Sequence, residues 1–329
     1  MNDTRIDLDR SLADLDGETW IAALDQLAEE HGSFSVLGAD HVASFIDAGP
    51  RLLVTFESQP RILAHNQGDE PLGFEFVRRH GWSHLAIIGR ADGWFRDPAI
   101  YQHFDRLIDD GFFEDFESVL FYGADGGAYA ACAYAVAAPG CRVLAVRPQA
   151  TLDPELAGWD PRYARHRRLN FTDRFGYAPD MLEAVQSAHI VFDPAEQLDA
   201  MHAALFAQPN VTLLRCRRLG PRLDQALAGM RVLAPSMLAA MEGRLDQLSF
   251  ARLMRARAHY MPYARHLLAV TEVEERPLLS ARICQHVLRQ GDKPFFAQKL
   301  AKLKAAGHVP PAAPRPALPA EPSLADPAE

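Results

Sequence analysis

The sequence predicts an α/β fold in which a doubly wound, mostly parallel sheet is followed by a C-terminal helical appendage. Six short apolar runs, dense in β-branched and aliphatic residues, alternate with stretches of helical spacing. Strand signals stop near residue 237, and only helical patterns follow. Alternation of strands and helices at this spacing is typical of parallel sheets that helices cover on both faces. The six runs are 52–56, 85–88, 119–122, 143–146, 189–192 and 211–214.

The stretches between the runs predict how the first part of the chain is organised. The apolar spacing of residues 17–31 predicts an amphipathic helix before the first run, and 71–80, 97–108 and 199–206 are predicted helices between strands. The interval 150–187 is longer and polar, and its Trp159, Tyr163 and Tyr177 suit an inserted cap. We therefore expect an N-terminal helical segment at 1–35 and an α/β core at 36–236.

The last quarter of the chain has a different pattern. Residues 250–268, 277–290 and 294–305 carry apolar positions three and four apart, which predicts consecutive helices. Together they make a helical appendage at 237–308, of a kind that can present a groove to a protein partner. Residues 309–329 are dominated by proline, alanine and glutamate, and we expect a disordered tail there because this composition cannot form a core.

Composition excludes several classes of function. The net charge is −9, from 34 basic and 43 acidic residues, and no stripe of lysine or arginine is present. Nucleic acid is therefore not an expected partner. No apolar run approaches the roughly 20 residues that span a bilayer, so we expect no membrane contact. The acidic N-terminus differs from a signal peptide, and we predict a cytoplasmic protein.

The sequence carries no motif for a metal or a cofactor. Its four cysteines are scattered without metal-ligand or disulfide spacing, which predicts buried free thiols. Neither of the common glycine-rich nucleotide loops is present. The Ser-Gly-Gly loop and the C-terminal Glu-Cys-Gly-x-His shared by sulfonucleotide reductases are also absent. We therefore predict no metal and no cofactor. The cysteines are Cys132, Cys141, Cys216 and Cys284.

The run at 119–122 leads into the most informative segment of the chain. It is followed by Gly123-Ala-Asp125-Gly-Gly127 and then by a stretch rich in alanine. A strand, a tight glycine turn and a helix form the layout of a nucleophile elbow, in which Gly-x-Ser-x-Gly presents a nucleophile above the sheet edge. Gly123, Gly126 and Gly127 are in place, whereas Asp125 stands where the nucleophile is expected.

These residues resemble the α/β-hydrolase superfamily, and more narrowly hydrolase-like proteins with Tyr-Gly-Ser-Ser-Met-Gly-Gly-Tyr before an alanine-rich helix. This chain has Tyr122-Gly-Ala-Asp-Gly-Gly-Ala-Tyr129, and its next strand ends in Arg147-Pro-Gln149 where those proteins carry Ser-Pro-Gln. The segment 94–98, Trp-Phe-Arg-Asp-Pro, is similar to an aromatic-rich segment of the same proteins. The resemblance covers residues 50–235 and implies that run 52–56 is the third strand and that the elbow follows the fifth. Because the turn is one residue shorter here, Asp125 can align with the nucleophile or with its neighbour.

The resemblance also implies positions for an acid and a histidine. The acid is expected after the next-to-last strand, where Asp193 lies. The histidine is expected after the last strand, where the chain has Arg215-Cys-Arg-Arg218 and where no histidine occurs between positions 202 and 259. A triad needs the imidazole to move protons and the acid to hold its tautomer. The chain thus matches the acid but neither the serine nor the histidine.

Asp125 has three interpretations at the level of sequence. As a nucleophile it would resemble the aspartate of haloalkane dehalogenases and epoxide hydrolases, which forms an ester that a histidine must help to release. As a ligand-binding carboxylate it would line a retained cleft. As a structural residue it would cap the helix that begins at Gly126, because aspartate is a favoured N-cap residue.

Arginines gather near the predicted carboxyl ends of two strands that we expect to be adjacent. Arg147 follows run 143–146, and Arg215, Arg217 and Arg218 follow run 211–214. Ligands of open α/β sheets bind at this edge, and guanidiniums hold carboxylate, phosphate or sulfate groups by paired hydrogen bonds. We predict a ligand site made by the elbow glycines with Arg147, Gln149, Arg217 and Arg218.

Two functions are consistent with these residues. The first is a non-hydrolytic α/β-hydrolase-like protein that binds a small anionic or glycan-related ligand, or a protein partner through its C-terminal helices. The second is an ester, epoxide or haloalkane hydrolase with Asp125 and Asp193 as catalytic carboxylates and a histidine from an unexpected loop, for which His65 is the candidate. Asp199 and His202, three positions apart on one predicted helix, are expected to make a surface contact rather than a dyad.

Overall fold

The computed structural model describes residue 8 and residues 10–308. The chain forms two compact units, of which the first ends at Tyr260 and the second begins at Met261. The predicted disordered tail, 309–329, lies outside the described residues. Among the helices of the described residues, none is both long and apolar enough to cross a membrane.

The first unit is built on an eight-stranded sheet with the spatial order β1-β2-β4-β3-β5-β6-β7-β8. Strand β2 pairs antiparallel with β1 and with β4, and all other neighbouring pairs are parallel. The strands are β1 (Gly32–Leu37), β2 (His41–Ile46), β3 (Arg51–Ser58), β4 (Ser83–Gly89), β5 (Ser118–Ala124), β6 (Arg142–Val146), β7 (Ser187–Phe192) and β8 (Val211–Arg215).

The predicted fold class is confirmed, since each of the six apolar runs lies in one of the strands β3 to β8. Run 52–56 is the third strand, and the glycine turn follows the fifth, as the resemblance implied. The pattern of apolar runs did not predict strands β1 and β2, because polar and apolar residues are mixed in both. In β1 only Leu37 is fully buried, so its sequence lacks the apolar density of the central strands.

Helices cover both faces of this sheet. Those of the first unit are α1 (Gly17–His31), α2 (Gln59–His65), α3 (Phe74–His80), α4 (Pro98–Asp109), α5 (Gly126–Tyr134), α6 (Pro154–Ala157), α7 (Gln197–Leu205), α8 (Leu223–Gly229), α9 (Leu233–Met241) and α10 (Gln247–Leu253). The amphipathic helix predicted at 17–31 is confirmed as α1. Helix α5 is buried from Gly127 to Tyr134, which explains its alanine-rich sequence, because only small side chains fit between the sheet and its cover.

The two faces of the sheet have separate hydrophobic cores. One contains α5 with Phe56, Phe104 and Phe121, and the other contains apolar side chains of α8, α9 and α10 packed on Leu144 and Leu214. Because α9 and α10 complete this second core, the first unit extends to Tyr260. The boundary that we expected at 236/237 instead falls inside α9.

The second unit contains three helices in its described part, α11 (Met261–Val273), α12 (Pro277–Leu288) and α13 (Pro294–Ala305). They bury Leu268, Cys284 and Phe296 between them. The single helix predicted at 250–268 is wrong, because α10 ends at Leu253 and a 3₁₀ segment, Met254–His259, separates it from α11. The predictions for 277–290 and 294–305 are confirmed as α12 and α13.

The interval 150–187 consists mainly of short turns. Helix α6 and the 3₁₀ segments Pro161–Arg168 and Ala178–Leu182 are its regular elements. The guanidinium of Arg96 donates hydrogen bonds to the backbone oxygens of Asn170 and Arg174, at 2.8 and 2.9 Å. The interval is therefore anchored to the segment that precedes α4.

Candidate functional site

Asp125 occupies the strained position of the turn between β5 and α5. Its backbone has φ 57° and ψ −121°, a conformation that non-glycine residues rarely adopt. The turn is held from both sides, because the Asp125 amide donates to the Val146 carbonyl at 3.0 Å and α5 begins at the next residue. The backbone thus makes a sharp strand-to-helix turn, which is the layout of an elbow, and Asp125 lies at its tip.

The glycines of the turn are required by close backbone contacts. A Cβ on Gly123 would lie 2.1 Å from the Gly127 carbonyl oxygen, and a Cβ on Gly127 would lie 2.2 Å from the Phe56 carbonyl oxygen. A Cβ on Gly126 would lie 2.2 Å from the Gly93 carbonyl oxygen. These positions therefore exclude side chains whether or not a ligand binds above them.

Both carboxylate oxygens of Asp125 are held by arginines. The Nε and Nη2 atoms of Arg147 donate to Oδ1, each at 2.6 Å, and Nη1 of Arg61 donates to Oδ2. Arg61 also pairs through Nη2 with Asp224. The Asp125 side chain makes no hydrogen bond to the helix, so it does not act as the N-cap that one interpretation assigned to it.

The two guanidiniums are partly buried with the carboxylates. Burial alone lowers the pKa of Arg61, but Asp125 and Asp224 outweigh it and raise the pKa above its ordinary value. Burial is also the largest influence on the pKa of Arg147 and by itself lowers it. The negative charges of Asp125 and Asp199 outweigh burial and raise this pKa above its ordinary value. Both arginines are therefore permanently charged partners of Asp125.

Asp193 lies in the place predicted for the triad acid, and its carboxylate is held by the backbone. It is 1% exposed, and it accepts hydrogen bonds from the amides of Ala195, Arg218 and Gly220, at 2.9, 3.0 and 2.8 Å. The last two amides belong to the loop after β8, where a triad histidine would stand. In the described part of the chain, the hydrogen bonds and ion pairs of Asp125 and Asp193 include none with an imidazole.

The predicted surface contact between Asp199 and His202 is wrong. Both residues are buried, and each has a partner outside its own helix. Asp199 pairs with Arg162 at 2.5 Å, whereas His202 pairs through Nε2 with Asp160 at 3.1 Å and accepts at Nδ1 from the Ala150 amide. This pairing makes His202 a neutral imidazole with its proton on Nε2, and its burial lowers its pKa.

A cavity of about 230 Å³ opens at the elbow. Trp94 and Tyr163 supply aromatic surface beside Asp125, and the rings of Trp94 and Tyr163 meet edge to face at 5.0 Å between centroids. His65 and His166 also line the cavity. Its polar lining thus combines two paired arginines with carboxylates and imidazoles.

The two imidazoles of the cavity have different surroundings. His65 Nε2 lies 2.8 Å from the side-chain nitrogen of Gln225. The Nδ1 atom of His166 is buried and has no hydrogen-bond partner among the described residues. The Nδ1 atom of His166 is therefore an unused, buried polar atom of a residue that lines the cavity.

A further carboxyl group, that of Glu57, lies at the end of β3 in the cavity wall. It accepts hydrogen bonds from Thr55 Oγ1 at 2.8 Å, from Asn66 Nδ2 at 3.1 Å and from the Leu72 amide at 3.2 Å. Burial raises the pKa of Glu57 despite these donors. Since both of its oxygens are bonded within the protein, Glu57 holds the segment after α2 in place.

The predicted arginines do not form one cluster. Arg147 follows β6 and Arg217 follows β8, and β7 lies between these strands, so the expectation that the strands are adjacent is wrong. Arg147 lines the elbow cavity, whereas Arg217 lines a separate groove beside β8. Gln149 is fully buried, and its side-chain nitrogen donates to the Arg147 carbonyl at 3.2 Å.

Several residues of the cavity were missed at the level of sequence, among them Glu57 at the end of β3. Arg61 and Asp224 are 64 and 163 positions away from the partners they meet here, and His166 comes from the interval 150–187. No local spacing relates them to the elbow. The one local feature that could have identified Arg61 is its position, because it is a basic residue in the segment that directly follows the third strand.

Comparisons with known proteins give only distant likenesses. No protein-family model matches the chain, and no curated protein sequence matches it. Among solved structures, Est1E from Butyrivibrio proteoclasticus is 12% identical, with 63% of this chain and 98% of that chain covered and a TM-score of 0.39. The capsule O-acetyltransferase of Neisseria meningitidis serogroup A is 13% identical, with coverage of 62% and 95% and a TM-score of 0.40. A glycosylation-associated protein (Gap123) complex from Streptococcus agalactiae is 12% identical, with coverage of 64% and 46% and a TM-score of 0.41. Similarity at this level identifies no activity for the chain.

Proposed function

We propose that this chain is a non-hydrolytic α/β-hydrolase-like protein whose elbow cavity binds a small anionic ligand. The observation that carries the proposal is the pairing of both Asp125 oxygens with Arg61 and Arg147. A carboxylate attacks an electrophile through an oxygen lone pair. The charge-assisted hydrogen bonds to Arg61 and Arg147 draw electron density from both oxygens of Asp125 and so make it a weaker nucleophile.

The state of Asp193 supports the same conclusion. A triad acid orients a histidine, whereas the hydrogen bonds that Asp193 accepts come from three backbone amides. Two of those amides come from the loop that would have to carry the histidine. Asp193 on this account is a structural residue that fixes the loop after β8.

The cavity offers donors that suit an anion. Arg61 and Arg147 lie against it, and the first amides of α5 have no partner within the helix and carry its positive dipole end. Asp125 is the carboxylate that holds the two guanidiniums in place. A carboxylate, phosphate or sulfate group would bind by replacing one or more of its contacts.

The test is calorimetric titration of the full-length protein with acetate, inorganic phosphate, sulfate and glucose 1-phosphate, with glucose as the uncharged comparison. We expect at least one anion to bind and Arg147→Met to weaken it at least about tenfold, because a charge-assisted hydrogen bond contributes about 1.5–3 kcal/mol. Arg51→Met is the matched control, since Arg51 is exposed at the opposite end of β3. The proposal fails if no anion binds, or if the two variants lose affinity equally.

An active hydrolase is the second candidate, and two observations favour it. The strained backbone of Asp125 is that of a nucleophile elbow, and strain of this kind concentrates at functional sites. His166 lines the same cavity, and its imidazole is the kind of group that activates water. This candidate requires ester, epoxide or haloalkane turnover that Asp125→Asn and His166→Gln each abolish.

A further inference from the structure

We propose that the free edge of β8 is a docking site for an acidic, extended segment of a partner protein, which adds to the sheet as a neighbouring strand. This proposal concerns a surface distinct from the elbow cavity and does not depend on the anion site. It rests on three observations, namely an unpaired strand edge, a groove along that edge and the charge of the groove.

The backbone of β8 has groups that point away from the sheet. In the described residues β8 pairs with β7 alone. The Asn210 carbonyl accepts from the Ala188 amide, and the Cys216 amide donates to the Phe192 carbonyl, so the even-numbered residues of this strand face β7. In a parallel pair the alternate residues face the other way. Leu213 and Arg215 therefore present their N–H and C=O groups at the outer edge, as strand addition requires.

A groove of about 780 Å³ runs along this edge, between β8 and the segment that contains α10. Leu213 and Leu214 both line it, although they belong to opposite faces of the sheet. A groove that touches both faces of one strand lies against its backbone edge. Phe250 and Met254 form part of its apolar wall.

The groove is basic in a protein that is acidic overall. Arg215, Arg217, Arg255 and Arg257 line it, and no aspartate or glutamate is among its described lining residues. The first three of these arginines are exposed. The whole chain carries a net charge of −9, so this patch is of opposite sign to the rest of the protein. Charge complementarity therefore selects an acidic partner and orients it on the edge.

A peptide fits these observations better than a nucleic acid. A single-stranded nucleic acid would use the arginines but not the outward backbone groups of Leu213 and Arg215. An extended peptide uses both, through main-chain hydrogen bonds to β8 and carboxylates placed against the arginines.

The experiment is fluorescence anisotropy of the full-length protein with a fluorescein-labelled peptide of alternating glutamate and valine. We expect saturable binding that Arg215→Glu weakens at least about tenfold, because the substitution places like charges together. Arg252→Glu is the matched control, since Arg252 is exposed on α10 and lies outside the groove lining. A peptide of alternating lysine and valine should not bind.

Two further measurements separate strand addition from simple charge attraction. Leu213→Pro removes an outward N–H and leaves the bonds to β7 in place, a change that edge strands tolerate, so it should also weaken binding about tenfold. Backbone N-methylation of the peptide should have the same effect and leaves the protein unchanged. The proposal is overturned if the N-methylated peptide binds as well as its parent, or if a single-stranded oligonucleotide of equal charge binds more tightly than the peptide.

Discussion

Replacement of Asp125 by asparagine tests the arginine pairing quantitatively. Asparagine keeps the shape and one carbonyl acceptor, but it removes the charge that Arg61 and Arg147 share. The wild-type carboxylate accepts three hydrogen bonds from charged donors, and each such bond contributes about 1.5–3 kcal/mol. The side chains of Asp125, Arg61 and Arg147 are 23%, 29% and 14% exposed, so solvent screens part of this stabilisation. We expect the free energy of unfolding to fall by about 1–3 kcal/mol in urea denaturation.

The same substitution should strengthen anion binding. An incoming phosphate no longer competes with a resident carboxylate for the two guanidiniums, and a gain of about 1.4 kcal/mol corresponds to a tenfold lower dissociation constant. Calorimetric titration of Asp125→Asn with inorganic phosphate measures this change. Asp109→Asn is the control, because Asp109 is exposed on α4 and should alter neither quantity. Unchanged stability together with unchanged or weaker phosphate binding would refute the reasoning.

Further predictions concern strain, the buried acid and pH. Asp125→Gly and Asp125→Ala lose the same ion pairs, but the glycine variant should unfold with a free energy about 1 kcal/mol higher, because it relieves the positive φ. Asp193→Ala leaves three backbone amides without their acceptor and should lower the free energy of unfolding by about 3 kcal/mol; a loss below about 0.5 kcal/mol in denaturation would contradict the bonding described for it. Burial lowers the pKa of His84 to about 3 from 6.5 in the unfolded chain, so the unfolded state binds more protons in this range. The stability due to neutral His84 is therefore complete above pH 6.5 and falls as pH drops towards 3, by up to about 1.4 kcal/mol per pH unit. The free energy of unfolding should therefore depend less steeply on pH in His84→Gln than in wild type across this range. Equal slopes in the two proteins would contradict this prediction.

The fold was largely predictable because its signals are local. The apolar runs of β3 to β8 and the spacing of α1 are properties of short windows. The elbow was predictable for the same reason, since its glycines and Asp125 lie within five consecutive positions. Strand β1 was not predictable by this route, because it lies at an edge of the sheet and most of its side chains are not buried.

The site was predictable only in part, because its contacts are long-range. Asp125 and Arg147 were identified from motifs, but their pairing depends on β5 and β6 being neighbours. Arg61 and Asp224 reach the cavity from α2 and α8, which no sequence spacing relates. The strands that precede Arg147 and Arg217 were wrongly expected to be adjacent. Local composition indicates where a strand forms, but it does not determine the order of the strands in the sheet.

The measurement that tests the central claim most directly is a hydrolysis assay of the wild-type protein and Asp125→Asn against ester, thioester, epoxide and haloalkane substrates. The account predicts no turnover by either protein, with circular dichroism showing that both are folded, because the arginines hold the elbow carboxylate and no imidazole of the described residues pairs with it. Turnover by the wild type that disappears in Asp125→Asn would make Asp125 a catalytic nucleophile and would contradict the account.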